Sequence, residues 1–233
     1  MKLKKLICIV MISVLGVLSF AGCAKKQDEK KTETSSEAST QEASAQVFAM
    51  DTYMNLKAYG KNAQKAVDDA KSEIERLDQL WSAVDKNSEI YQLNQKKKMK
   101  ISDETLELIE FAKKKSKESN DAFDISIYPI VELWGFPTQN FRVPSQEALN
   151  QLLPLTDAGN ISYDKATKKI SFGVEGMKID LGGIAKGYTS SRIMDIYKEN
   201  GISSGLVNLG GNVQALGTKT DGTKWKIAVQ SPD

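Results

Sequence analysis

The sequence predicts an α+β fold, with strands and helices mixed and no regular β-α-β alternation. Three observations carry that expectation: helical spacing of apolar residues between positions 63 and 112, short alternating segments beyond position 160, and glycine-rich turns that separate them. The chain is long enough for one large domain or two small ones.

Taken in order, Lys2, Lys4 and Lys5 precede an apolar run from Leu6 to Ala21, and small residues then lead into Cys23. A run of roughly 16 apolar residues is short for a helix that must cross ~30 Å of hydrocarbon, so residues 1–22 read as a cleaved export signal. Leu18-Ser19-Phe20-Ala21-Gly22-Cys23 looks like a bacterial lipobox, in which the Cys23 thiol is acylated and becomes the new N-terminus. That reading places the protein on the extracytoplasmic face of a bacterial membrane, held by lipid. An ordinary secreted protein with a free cysteine is the alternative.

Residues 23–45 then form the lipidated cysteine and a tether: Lys, Gln, Glu, Ser, Thr and Ala without a large apolar side chain cannot offset the entropy of ordering. The folded domain is expected over residues 46–233. It begins near Val47, where Phe48, Met50, Thr52, Met54, Leu56 and Ala58 would share one face of a single alternating strand. Ala63, Ala66, Ala70, Ile74, Leu77 and Trp81 recur at helical spacing behind Asn62 as N-cap. A second helix opens at Ser102, with Asp103 and Glu104 in its first turn, and buries Leu106, Ile109 and Ala112. A third runs from Ser145 to Leu153 and stops at Pro154. Strands are expected over 160–163, 169–172 and 177–180, then a helix over 184–200 closed by Gly201, then strands over 205–209, 213–216 and 224–230.

Composition excludes several chemistries. With 32 basic and 30 acidic side chains the charges nearly cancel, so no nucleic-acid partner is suggested. Only two cysteines exist, Cys8 in the signal and Cys23 at the lipid, which leaves the mature fold without disulfides or cysteine metal sites. The chain has no histidine, so Ser-His-Asp, Cys-His and His-zinc machinery are out of reach. Catalysis would rest on carboxylates, hydroxyls, lysines, backbone amides or a hard metal ion.

Asp180-Leu181-Gly182-Gly183-Ile184-Ala185-Lys186-Gly187 is the most informative stretch. A strand ends in a carboxylate, two glycines free the backbone, and a helix starts at once, with Lys186 as a point charge in its first turn. That layout suits an anion, since helix N-terminal amides and the macrodipole both favour phosphate; a plain tight turn with a solvated lysine is the alternative. Asn208-Leu209-Gly210-Gly211-Asn212 is a second paired-glycine kink, either a ligand-approach bulge or a simple turn. Ala122-Phe123-Asp124 and Trp134-Gly135-Phe136 either line a flat heteroaromatic pocket or pack a core.

These segments, in this order, resemble the ApbE family of FAD:protein FMN transferases. Further matches are Met50-Asp51-Thr52, Ser88-Glu89-Ile90 with Leu93-Asn94, Leu133 before the Trp134 stretch, and Trp225-Lys226-Ile227 with Gln230 and Pro232. The resemblance implies a T-fold-related α+β domain that binds FAD and uses Mg²⁺ to break its pyrophosphate, passing FMN to a Thr or Ser hydroxyl and releasing AMP. By position, Met50, Ala122, Phe123, Asp124, Asp180 and Lys186 would contact FAD, and the Gly183 carbonyl would help ligate Mg²⁺. Acceptors would be exported flavin-carrying subunits of electron-transfer complexes. Two departures stand out: Val84 replaces an aromatic that can stack on flavin or adenine, and Ser191 replaces an aspartate. The family normally continues for roughly another hundred residues, a length that still suits one domain, with a metal-binding Asp-Ala-x-x-Thr helix. The chain as written is therefore expected to be a fragment with little transferase activity of its own. Alternatives on the same site are an FAD pyrophosphatase that yields FMN and AMP, or a non-catalytic FAD-binding lipoprotein. A transporter's binding lipoprotein fits less well, because two β-α-β lobes are not apparent.

Overall fold

The computed structural model describes residues 41–229 and 231. The expected signal, the Cys23 lipidation site and the tether as far as Thr40 lie outside them. Chain order is β1 (Glu42–Ala49), β2 (Thr52–Tyr59), α1 (Ala63–Trp81), α2 (Glu89–Lys96), β3 (Lys98–Lys100), α3 (Asp103–Glu118), α4 (Tyr128–Trp134), α5 (Gln146–Leu152), β4 (Ile161–Asp164), β5 (Lys169–Phe172), α6 (Gly182–Glu199), β6 (Ser204–Leu209) and β7 (Asn212–Leu216). Short 3₁₀ turns follow α4 and α5 and precede β4. All ladders are antiparallel: one sheet runs β1-β2-β6-β7 and the other β3-β5-β4. This is the expected α+β class.

Each sheet has its own core. Val47, Met54, Leu56 and Val207 of the larger sheet bury against Ala66, Ala70 and Ile74 of α1 and Ile193, Met194 and Tyr197 of α6. Leu77 and Trp81 at the far end of α1 bury with Ile90, Leu108, Ile109, Ile170 and Ile179 in the second core, where Ala185 joins from the start of α6. Two helices thus run through both cores, and this delivers the N-terminus of α6 and the C-terminal half of α1 to the same seam.

Several expectations are corrected. The ladder begins at Glu42, inside the stretch read as tether, because Glu42–Ala49 pairs residue for residue with Thr52–Tyr59. One long strand is therefore a hairpin. Its two-residue turn is Met50-Asp51, with φ of 49° and 57°; these left-handed values match the strand twist and normally call for Gly or Asn. The turn flips the buried phase, so Val47 and Ala49 face inward while Phe48 is exposed. Asn62 stands at the N-cap position of α1 without capping; its amide donates to the Asn200 carbonyl at 3.0 Å. Helices α2 and α4 were not expected. Met177–Asp180 is no strand: it makes one isolated bridge, Lys178 to Ile127, and the Asn94 side chain takes the place of a neighbour by binding both the Ile179 N–H and C=O, at 2.7 and 2.8 Å. Lys224 to Val229 is also not strand.

Other elements follow the sequence. Ser102 and Ser145 cap α3 and α5, accepting from the Thr105 and Ala148 amides, and Gly201 takes a left-handed φ of 74° after α6.

Candidate functional site

The start of α6 is built from local hydrogen bonds. The Asp180 N–H donates to Ile125 C=O at 2.8 Å and anchors the approach, while Asp180 Oδ1 accepts from the Gly182 N–H at 2.5 Å. Leu181, not Asp180, occupies the formal N-cap position. Lys186 Nζ folds back over its own first turn to the Gly182 carbonyl at 3.0 Å. Burial pushes the Asp180 carboxyl up from its ordinary range; the Gly182 N–H and Lys186 pull it down, and Asp51 adds to the rise.

Next to this turn lies a cleft of about 280 Å³. The β1–β2 turn brings Met50 and Asp51 to it, α1 brings Asp78 and Trp81, and the start of α6 brings Asp180 and Gly182. Asp78 accepts from the Met50 N–H at 3.0 Å, which ties the left-handed turn to α1. Burial also raises the Asp78 carboxyl, with Asp51 and Asp85 adding like-charge repulsion. Trp81 forms the floor: its indole N–H donates to Thr105 Oγ1 at 3.0 Å and its ring meets Tyr188 edge-on at 5.2 Å. Tyr128 closes another side, its hydroxyl donating to Ala83 C=O at 3.2 Å and its pKa pushed up by burial to about 12.

On the other side of the glycines a second cavity of about 420 Å³ is lined by Gly183, Phe123, Phe111 and Ser119 among others. A Cβ placed on Gly183 would lie 3.1 Å from Phe123 Cε2, so this ring sits directly against the bare backbone. Left-handed Asn120 and Asp121 make the turn that leads to Phe123, whose N–H donates to Ser119 Oγ at 3.0 Å.

The six predicted FAD contacts therefore divide. Met50 and Asp180 line the first cleft, and Phe123 lines the second cavity with Gly183. Lys186 lines neither cavity; its ammonium lies on the Gly182 carbonyl. Ala122 is exposed beside Phe123 and lines neither cavity. Asp124 is occupied by its own loops: Oδ1 accepts from the Ser126 N–H and hydroxyl at 2.7 and 2.6 Å, and Oδ2 from the Ala158 N–H at 2.9 Å. Among the described residues no group of three or more His, Cys, Asp or Glu is arranged to hold a metal ion. Sequence reasoning missed Asp51, Asp78 and Trp81 as cleft residues. The available signal was Asp78 itself, a carboxylate one position beyond Leu77 on the buried stripe of α1. The second glycine pair reaches the site indirectly, since Asn212 Nδ2 donates to Lys186 C=O at 3.2 Å and to Ser190 Oγ at 3.0 Å.

The fold is shared with solved structures. The ApbE protein of Thermotoga maritima superposes with a TM-score of 0.77 at 30% identity, over 82% of this chain and 64% of that one. Flavin transferase ApbE of Vibrio cholerae gives 0.75 at 25% identity, over 83% and 65%. Among curated relatives, the FAD:protein FMN transferase of Klebsiella pneumoniae is 32% identical over 162 residues, 68% of this chain and 49% of that protein. The Escherichia coli protein of the same name is 24% identical over 225 residues, 92% of this chain and 63% of that protein. The chain thus spans between 49% and 63% of the length of these two relatives. The sequence model of the ApbE family matches residues 50–233, which takes in the Met50 turn, the whole of α6 and the lining of both cavities except Phe48 and Ala49 of the first, and the chain belongs to that family.

Proposed function

We propose that the protein binds FAD and, with Mg²⁺, transfers its FMN half to a Thr or Ser hydroxyl of partner proteins, releasing AMP. The observation that carries this reading is the position of Gly182 and Gly183 between two cavities, one holding Met50 and Asp180 and the other Phe123. Volumes of about 280 and 420 Å³ each suit one end of a dinucleotide, and the positive dipole end of the helix between them favours the diphosphate, although Asp180 Oδ1 already engages the Gly182 N–H. Lys186 lies one turn along the same helix, where its charge favours the same anion.

In the transfer, the acceptor oxygen forms a bond to the FMN phosphorus, the bridging P–O bond breaks, AMP leaves with that oxygen, and the hydroxyl proton passes to solvent or a base. Bound Mg²⁺ would neutralise charge on the phosphate oxygens. Mg²⁺ is commonly held by one or two protein oxygens together with substrate phosphates rather than by a full protein cage. The Gly183 carbonyl is the ligand proposed in this chain.

The same reading extends to location and partners: lipidation at Cys23 would hold the protein on the extracytoplasmic face, where exported flavin-carrying subunits of electron-transfer complexes would be its acceptors. Calorimetry with FAD, with and without Mg²⁺, tests the binding step. Incubation of the full-length gene product with an acceptor subunit tests the chemistry, with covalent flavin and AMP expected in equal amounts. FAD cleavage without covalent flavin would indicate a pyrophosphatase, binding without AMP a carrier, and no FAD uptake in any condition sinks the proposal.

A further inference from the structure

Phe48, Val84 and Phe136 are 62%, 54% and 56% exposed, and all three line the cleft that holds Asp51, Asp78 and Asp180. Single exposed apolar side chains need no explanation, but three gathered from separate segments around one cleft make a rim. The ring of Phe136 is held outward by a loop with little freedom. Gly135 takes a left-handed φ of 83°, and a Cβ there would lie 1.9 Å from Asn140 O. The Asn140 N–H returns to Gly135 C=O at 3.1 Å, the Arg142 N–H to Trp134 C=O at 3.1 Å, and Arg142 Nε to Leu133 C=O at 2.6 Å. Trp134 stacks on Phe136 at 6.4 Å, and Phe141 meets it edge-on at 5.7 Å. Phe48 is steadied from its own hairpin by Tyr53, edge-on at 5.1 Å. A fixed apolar ring presented to water lowers the ordering cost of a ligand that covers it.

The acids of the cleft define what that ligand is. Three carboxylates, Asp51, Asp78 and Asp180, can accept hydrogen bonds there, and among the described residues no Lys or Arg lines the cleft. A phosphate is repelled there, whereas a flat ring bearing N–H or O–H donors is matched at its edge by the acids and at its face by the rim. The volume, about 280 Å³, suits one ring system with part of its sugar and not a whole dinucleotide.

We infer that Phe136, with Phe48 and Val84, forms a stacking rim that takes one heteroaromatic end of the dinucleotide and leaves its diphosphate outside, over Gly182 and Gly183. This rests on the FAD reading above. It makes Phe136 a determinant of affinity and specificity.

The experiment titrates the protein with FAD, FMN and AMP by calorimetry, for the wild type, Phe136→Ser, Phe136→Trp and the double variant Phe136→Ser/Val84→Tyr. Loss of one stacking contact is expected to raise the Kd for FAD by about tenfold in Phe136→Ser. Phe136→Trp should stay within about twofold of wild type, and Val84→Tyr should restore most of the loss by offering a ring from another side of the cleft. Phe136→Ser also gives up the ring contacts to Trp134 and Phe141, so its melting temperature should fall by a few degrees, whereas Phe136→Trp should keep that of wild type. If AMP binding weakens and FMN binding does not, adenine is the ring held; the reverse result assigns isoalloxazine, and either supports the rim. Wild-type affinity for FAD in Phe136→Ser overturns the rim while leaving the FAD reading intact. A wild type that takes up no FAD removes that reading, and the rim with it. A loss in Phe136→Ser that Phe136→Trp shares equally also overturns it, since stacking would then not be the cause.

Discussion

At Gly210 and Gly211 the backbone has φ of +61° and +93°, whereas Gly182 and Gly183 lie in the first turn of α6 with no positive φ. The first pair closes the β6–β7 hairpin, and its register, Leu209 opposite Asn212, leaves room for only two residues in a left-handed path. The second pair could carry side chains as far as backbone conformation goes. What sets it apart is proximity: a Cβ on Gly182 would lie 2.8 Å from Asp180 Oδ1, the end of a side chain that can shift, and one on Gly183 would lie 3.1 Å from Phe123 Cε2. Both neighbours are residues of the proposed FAD site. One pair is glycine because the chain must turn, the other because site residues crowd the helix start. That difference gives Gly210 and Gly211 the simple-turn reading, whereas the anion reading of Gly182 and Gly183 rests on the proposed FAD site.

The largest effect expected from breaking this contrast is at Gly210. A Cβ there combines a left-handed backbone with contacts of 2.5 to 2.9 Å to three atoms of Thr52. Gly210→Ala should cost ~1–3 kcal/mol of stability from strain alone, with the Thr52 contacts adding to it. Gly211, where nothing lies within 4 Å, isolates the backbone contribution, so Gly211→Ala should cost less. Urea unfolding of the two variants gives the order, and a Gly211 variant as unstable as the Gly210 one would show that the Thr52 contact is unimportant.

A smaller change in stability and a clear one in binding are expected at Gly183. In a helix Ala is favoured over Gly by up to ~1 kcal/mol, and this offsets the tight approach to Phe123. Gly183→Ala should therefore unfold close to wild type. Its Phe123 ring must give way by a few tenths of an ångström, and FAD affinity should fall by about tenfold, ~1.4 kcal/mol. Calorimetry beside thermal melting separates the two readouts. Equal FAD affinity in the variant would remove Phe123 from the site.

The same contrast explains what could be read without coordinates. Helices α1, α3, α5 and α6 and strands β4 to β7 carry their own signals, such as the spacing from Ala63 to Trp81 and the caps at Ser102 and Ser145. The first hairpin did not, because Met50 and Asp51 hold left-handed values with neither Gly nor Asn, and the tie that fixes Met50 is Asp78, 28 residues away. Helix α2 is eight residues long, with only Ile90 and Leu93 as apolar anchors, too few to establish a period. Met177 and Ile179 alternate like a strand and are buried, but Asn94 satisfies the Ile179 backbone in place of a ladder. In the site, the acids and glycines of the 180–187 stretch were legible as chemistry. The cleft was not, since its walls come from the hairpin turn, the far end of α1 and the loop after α4, and only tertiary contact joins them.

The smallest expected effect sharpens the functional side of the comparison, and it depends on pH. Burial holds the Asp180 carboxyl above its ordinary value of 3.8. Below that value both folded and unfolded chains are protonated at this position, and no difference arises. As pH rises through the window up to the raised folded pKa, the folded state retains its proton longer, so stability is lost, and above the window the whole penalty is present. Asp180→Asn removes the penalty and keeps an oxygen for the Gly182 N–H. The variant should therefore be more stable than wild type at neutral pH, and the gap should close as the pH is lowered to the ordinary aspartate range. FAD binding should weaken in the same variant. Urea midpoints of the pair, compared at neutral pH and near pH 4, check the sign, while Gly210→Ala should show no such pH-dependent gap. A variant less stable than wild type at neutral pH would mean that the charged hydrogen bond to Gly182 outweighs burial, and Asp180 would then be a cap whose first duty is to the helix.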